Sequence, residues 1–123
     1  MTQEERQILL VDLCARFPYG VIVHIHDIDV DDYDRQLIGE DLDFIELYRR
    51  NCKPYLRPMS SMTEEEKVEY CYLQDKFLLS SQYPVTDGYA LFDYLNKNMF
   101  DYRGLIKKGL AIEVTEENNP YEK

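Results

Sequence analysis

Residues 53–66, Lys-Pro-Tyr-Leu-Arg-Pro-Met-Ser-Ser-Met-Thr-Glu-Glu-Glu, divide this chain into two conformational regimes. Pro54 and Pro58 bias Lys53 and Arg57 towards extended backbone, because the proline ring clashes with a helical residue before it. Thr63 and Glu66 then form a capping box, in which hydroxyl and carboxylate each satisfy an unpaired backbone N–H at a helix start. Extended chain must therefore hand over to helix within a few residues. A fold that accepts this has sheet before the segment and helix after it.

The helix that follows carries Val68, Cys71, Tyr72 and Leu79 at helical spacing, with Leu73 and Phe77 beside them. That pattern predicts about four turns with an apolar stripe turned inward. Glu64, Glu65 and Glu66 sit at the positive end of its dipole. Pro84 ends the next segment, and Asp87 caps a short helix bearing Leu91, Phe92 and Leu95. Asp101 caps a last, very short helix through Ile106, with Gly109 in the left-handed position beyond it and Lys107 and Lys108 near its negative pole. Residues 110–114 read as a final strand.

Ahead of the dividing segment, Thr2 and Glu5 form another capping box, and Leu10, Leu13, Cys14 and Phe17 follow as a helical stripe. Pro18 and Gly20 stop that helix. Residues 21–26, Val-Ile-Val-His-Ile-His, are β-branched and short, with Val23 and Ile25 on one face and His24 and His26 on the other. The acidic run 27–34 reads as an exposed turn or loop. Gly39 marks a bend or bulge, and residues 43–48 read as a strand or as a helical turn through Phe44, Leu47 and Tyr48; a strand is preferred, since one isolated strand is unstable and needs partners. The expected fold is α+β: an N-terminal helix, a small mainly antiparallel sheet, then two or three C-terminal helices packed on it. Residues 1–114 form a single domain, and residues 115–123 a polar, frayed tail.

A chain of 123 residues with 45% hydrophobic content can bury its own core. Its net charge of −10 opposes the counterion release on which phosphate-backbone binding depends, so direct nucleic-acid binding is not expected. Eleven tyrosines and no tryptophan suit the rim of a core or a contact surface, and make a homodimer one candidate assembly. Cys14, Cys52 and Cys71 show neither zinc-type nor disulfide-type spacing; Cys14 and Cys71 read as small buried hydrophobes. With no signal-peptide pattern and no apolar run of spanning length, a cytoplasmic setting without membrane contact is expected.

The sharpest chemical candidate is His24, His26 and Asp27, two imidazoles on one strand face with a carboxylate next to them. Known templates fail there. Asp27, Asp29 and Asp31 mimic the first ligands of a calcium loop, but Asp32 replaces its turn glycine and Ile38 its final glutamate. No nucleophile motif and no glycine-rich phosphate loop accompanies the histidines, so neither an enzyme nor a cofactor is expected. Lys53, Tyr55 and Arg57 offer a basic, aromatic, proline-framed contact strip, weighed against a purely structural connector between sheet and helix.

Three blocks also carry a resemblance: residues 13–21 (LCARFPYGV), residues 53–66 (KPYLRPMSSMTEEE) and residues 100–111 (FDYRGLIKKGLA). They resemble a family of short uncharacterised proteins from prophages and integrated mobile elements of gut Bacteroidetes. The resemblance implies an accessory role in a mobile element and assigns no catalytic or binding residue. Two functions follow as expectations. One is a non-enzymatic module that binds an unidentified protein partner; the other is an acidic decoy that mimics nucleic acid and occupies a host DNA-binding enzyme.

Overall fold

The computed structural model describes residues 1–26, 31–46, 51–80 and 89–122. Helix α1 spans Gln3–Arg16, and its capping box forms as expected, with Glu5 N–H donating to the Thr2 hydroxyl at 3.1 Å and Thr2 N–H to the Glu5 carboxylate at 2.9 Å. A 3-10 turn over Phe17–Tyr19 ends at Gly20, whose φ of +74° lies where a side chain would be strained. The buried face of α1 is Leu9, Asp12, Leu13 and Arg16. The expected stripe shared only Leu13 with it, and Cys14 and Phe17 face solvent. An ion pair between Arg16 and Asp12 occupies the inward face, which hydrophobic periodicity has no means of showing.

The sheet contains β1 (Ile22–His26), β2 (Tyr33–Gln36), β3 (Asn51–Leu56) and β4 (Ile112–Glu113) in the order β2-β1-β3-β4. Strand β1 pairs antiparallel with β2 and β3, while β4 joins β3 in parallel. The fold is thus α+β with a mainly antiparallel sheet. Val23 and Ile25 are fully buried beneath β1, and Cys52 and Leu56 beneath β3. The opposite face carries His24 and His26 from β1, with Lys53 and Asn51 as their Cα partners on β3. Pro54 lies within β3 because β4 pairs only with Tyr55 and Leu56; at Pro54 the strand has β1 on one side alone.

Three sequence expectations change here. Residues 33 and 34, the end of the run read as loop, open β2, and residues 53–56, read as part of a connector docking the sheet on a helix, lie in β3, an interior strand. These strands supply the partners of β1. Residues within 43–48 are not needed for pairing, and those described belong to helix α2, Gly39–Glu46. Ile45 is buried and Leu42 half-buried, while Asp41 accepts Ile38 N–H at 3.0 Å and an Arg35 N–H at 2.6 Å, fastening α2 to β2. The spacing 41, 42 and 45 is helical, and Gly39 begins the helix rather than a bulge.

Helix α3, Glu64–Ser80, starts at the predicted capping box, with Glu66 N–H on the Thr63 hydroxyl and Thr63 N–H on the Glu66 carboxylate. Helix α4 covers Ala90–Lys97; Asp87, its expected cap, lies outside the described residues. Phe100 N–H bonds to Leu95 C=O and Met99 N–H to Asn96 C=O, closing α4 with Met99 at φ +60°. Helices α3 and α4 meet over Met62, Leu73, Leu91, Leu95 and Phe100, beside a larger core between the sheet and α1 and α2.

After α4, the Asp101 carboxylate accepts the N–H groups of Leu105 and Ile106, and Gly109 adopts φ +75°. The expected short helix is thus a capped turn with the expected glycine stop. The polar C-terminal stretch is not a free end, because Tyr121 packs against the main core. Its hydroxyl donates to Tyr55 C=O at 2.8 Å and accepts Ile22 N–H at 3.1 Å, standing in the β1–β3 ladder where the strands would otherwise bond directly. Of the cysteines, Cys52 is buried and Cys14 and Cys71 are exposed, reversing the expected placement of the latter two.

Candidate functional site

Two surfaces carry side chains that the fold itself does not use. The first is the outer face of the sheet. Strand alternation places Asp34 on this face, beside its Cα partner His24. His24 Nδ1 lies 2.7 Å from Asp34 Oδ1, and its Nε2 lies 3.2 Å from Asp32 Oδ2. His26 Nδ1 approaches the other Asp32 oxygen at 2.5 Å. The Tyr55 hydroxyl donates to Asp34, with its oxygen 3.0 and 3.1 Å from the two carboxylate oxygens.

A carboxylate only accepts, so contacts from both ring nitrogens of His24 hold it as an imidazolium. Its pKa is accordingly raised, first by the hydrogen bond to Asp34. That of Asp32 is lowered by its hydrogen bonds to His26 and then His24. Burial, reinforced by Asp34, pushes the Tyr55 hydroxyl up to about 12. The network shares protons across three strands and includes no serine or cysteine.

As a metal centre the arrangement is already spent. The carboxylate oxygens that would face a cation accept imidazole and phenol protons. Among the described residues no group of three or more His, Cys, Asp or Glu side chains is arranged to hold a metal ion. Asp27, the sequence candidate, lies outside the described residues.

Of the proposed contact strip, Tyr55 is buried and bonded to Asp34. Arg57 makes a two-pronged ion pair with Glu66 at 2.8 and 2.7 Å, its guanidinium carbon 4.2 Å from the Phe100 ring centre. That hydrogen-bonded pair holds the Glu66 carboxyl down at about 2. The same Glu66 closes the α3 capping box, so Arg57 fastens β3 to the start of α3. Lys53 differs from both. It is half-buried, opposite His24, and lines a pocket of about 280 Å³ with His24, His26, Asp32, Asn51 and Ile112.

The second surface is the outward side of α3. Leu73 is buried against α4, whereas Val68 is 71% exposed, Tyr72 54% and Leu79 46%, with Cys71 also exposed. Those four form the stripe that periodicity assigned to the core. The helix is apolar on both sides, and the fold covers the side bearing Leu73. Exposed acids Glu64, Glu65 and Glu69 stand beside these residues with Lys67, Asp75 lies among them between Cys71 and Leu79, and Lys76 stands 4.7 Å from the centre of the Tyr72 ring.

Among the described residues, no helix is long and apolar enough to cross a membrane. Comparison with models of known protein families, with curated proteins and with solved structures finds no match.

Proposed function

We propose that this chain is a non-enzymatic protein-interaction module whose contact surface is the outward face of α3. The observation that carries the reading is the exposure of Val68, Cys71, Tyr72 and Leu79 along one side of a helix whose other side is already packed. Apolar surface in contact with water costs free energy that a partner recovers, and an exposed tyrosine is a frequent anchor of such contacts. Acids outnumber bases around the stripe, so the partner that fits is a protein with an apolar groove edged by Lys and Arg. The mobile-element setting implied by the sequence resemblance suits an accessory of this kind.

The test is affinity capture from a lysate of a gut Bacteroidetes host, comparing the natural chain with a Val68→Ser/Tyr72→Ser variant of matched thermal stability. We expect a partner that is lost with the variant and weakened by salt. Loss of the Tyr72 ring alone should weaken binding about 30-fold, as for a central anchor. No reproducible partner, or equal capture by both proteins, overturns the proposal.

A further inference from the structure

We infer that the pocket on the outer face of the sheet is a binding site for a small oxyanion of the phosphate or carboxylate type, held by Lys53, His26 and Asn51. The inference rests on a donor and acceptor inventory. His24, His26, Asn51 and Lys53 form a square of directly paired positions on β1 and β3, all on the face opposite the core. The pocket of about 280 Å³ that they line with Asp32 and Ile112 suits a small ligand better than a polymer.

The acceptors facing it are occupied. Asp32 takes hydrogen bonds from both imidazoles, and Asp34 takes them from His24 and Tyr55. The donors remain unspent. The Lys53 ammonium and the Asn51 amide have no hydrogen-bond or ion-pair partner among the described residues, and His26 uses Nδ1 alone. Its Nε2 carries a further proton when the ring is charged. Spare donors on Lys53 and Asn51, beside a carboxylate already hydrogen-bonded to both imidazoles, fit a ligand rich in acceptor oxygens.

The net charge of −10 opposes anions at long range, but charges more than about 8 Å apart are screened at physiological salt. Among the described residues the pocket lining holds one carboxylate, Asp32, which is hydrogen-bonded to both imidazoles, and Lys53 has no ion-pair partner. Ile112 supplies an apolar wall to the pocket. Interaction at this pocket is independent of the α3 surface, so the two proposals stand or fall separately.

The test is a titration of the ¹⁵N-labelled chain at about pH 6, below the ordinary imidazole value of about 6.5. Inorganic phosphate and acetate are added in parallel, each against chloride at constant ionic strength. We expect saturable shifts centred on His24, His26, Asn51 and Lys53. Lys53→Gln should weaken them at least about 10-fold, and Lys53→Arg should retain them. A response to phosphate alone identifies a phosphate site, and a comparable response to acetate a general oxyanion site. Shifts that match chloride, fail to saturate, map elsewhere or survive Lys53→Gln overturn the inference. Circular dichroism of each variant establishes that the fold is retained.

Discussion

Arg16 is the residue whose role a sequence reading is least equipped to see. It is fully buried, paired with Asp12 at 2.9 and 3.1 Å, bonded to Phe100 C=O at 2.7 Å and set 5.3 Å from the Tyr102 ring centre. Arg103 joins the same Asp12 at 2.9 Å, so a single carboxylate from α1 secures the turn after α4. One guanidinium nitrogen, Nη1, has no hydrogen-bond partner, and Arg16 depends on Asp12 all the more. Asp12→Ala should therefore destabilise the fold by about 3–5 kcal/mol, because it leaves a buried cation uncompensated. Urea unfolding measures this, and a loss below about 1 kcal/mol would contradict it. In sequence the pair is merely an acid and a base four apart, which usually means an exposed helix face.

At the scale of elements, those announced by local chemistry were legible. Both capping boxes, the Gly20 and Gly109 stops and the alternation of β1 all depend on neighbours within a few residues. Strand β2 and helix α2 were not, because their identity follows from pairing and packing partners distant in sequence. The tail is the sharpest case. Nothing near Tyr121 signals an anchor, yet its hydroxyl links Ile22 on β1 to Tyr55 on β3. Burial pushes that hydroxyl up to about 12. Tyr121→Phe keeps the ring and removes the link, leaving an N–H and a C=O without their partner. It should cost about 1–3 kcal/mol in urea unfolding, with faster hydrogen exchange at Ile22 N–H. Unchanged stability and exchange would show that the strands close without the hydroxyl.

For the whole molecule, proton linkage sets the pH range of greatest stability. His24 has a raised folded pKa, so its stabilisation is fully present below the ordinary value of about 6.5 and is lost as pH rises through the folded value. Glu66 works in the opposite sense. Its pKa is lowered to about 2, so its stabilisation is present above the ordinary value of about 4.3 and is lost as pH falls through about 2. Urea midpoints should be highest between about pH 4.5 and 6.5 and decline on both sides. His24→Gln should flatten the alkaline decline and leave the Glu66 part of the acid decline in place. An alkaline decline that survives this substitution would assign it to another group. The His24 part is modest, because that side chain is 30% exposed and its ion pairs are screened by solvent.

The sequence by itself determined the α+β class, the positions of α1, β1 and α3, and the separation of His24 and His26 from the core, since caps, proline geometry and strand alternation act over a few residues. It also supplied the apolar stripe of α3 but not the direction that stripe faces. Tertiary structure decided that. With apolar residues on both sides of a helix, periodicity identifies two candidate faces, and the position of α4 selects the one bearing Leu73 for burial. The same holds on the sheet, where Asp34 reaches His24 and Lys53 stands opposite His24 only because β2 and β3 flank β1 in one particular register. Register and packing join segments distant in the chain, so a pattern read within one segment does not name its partner.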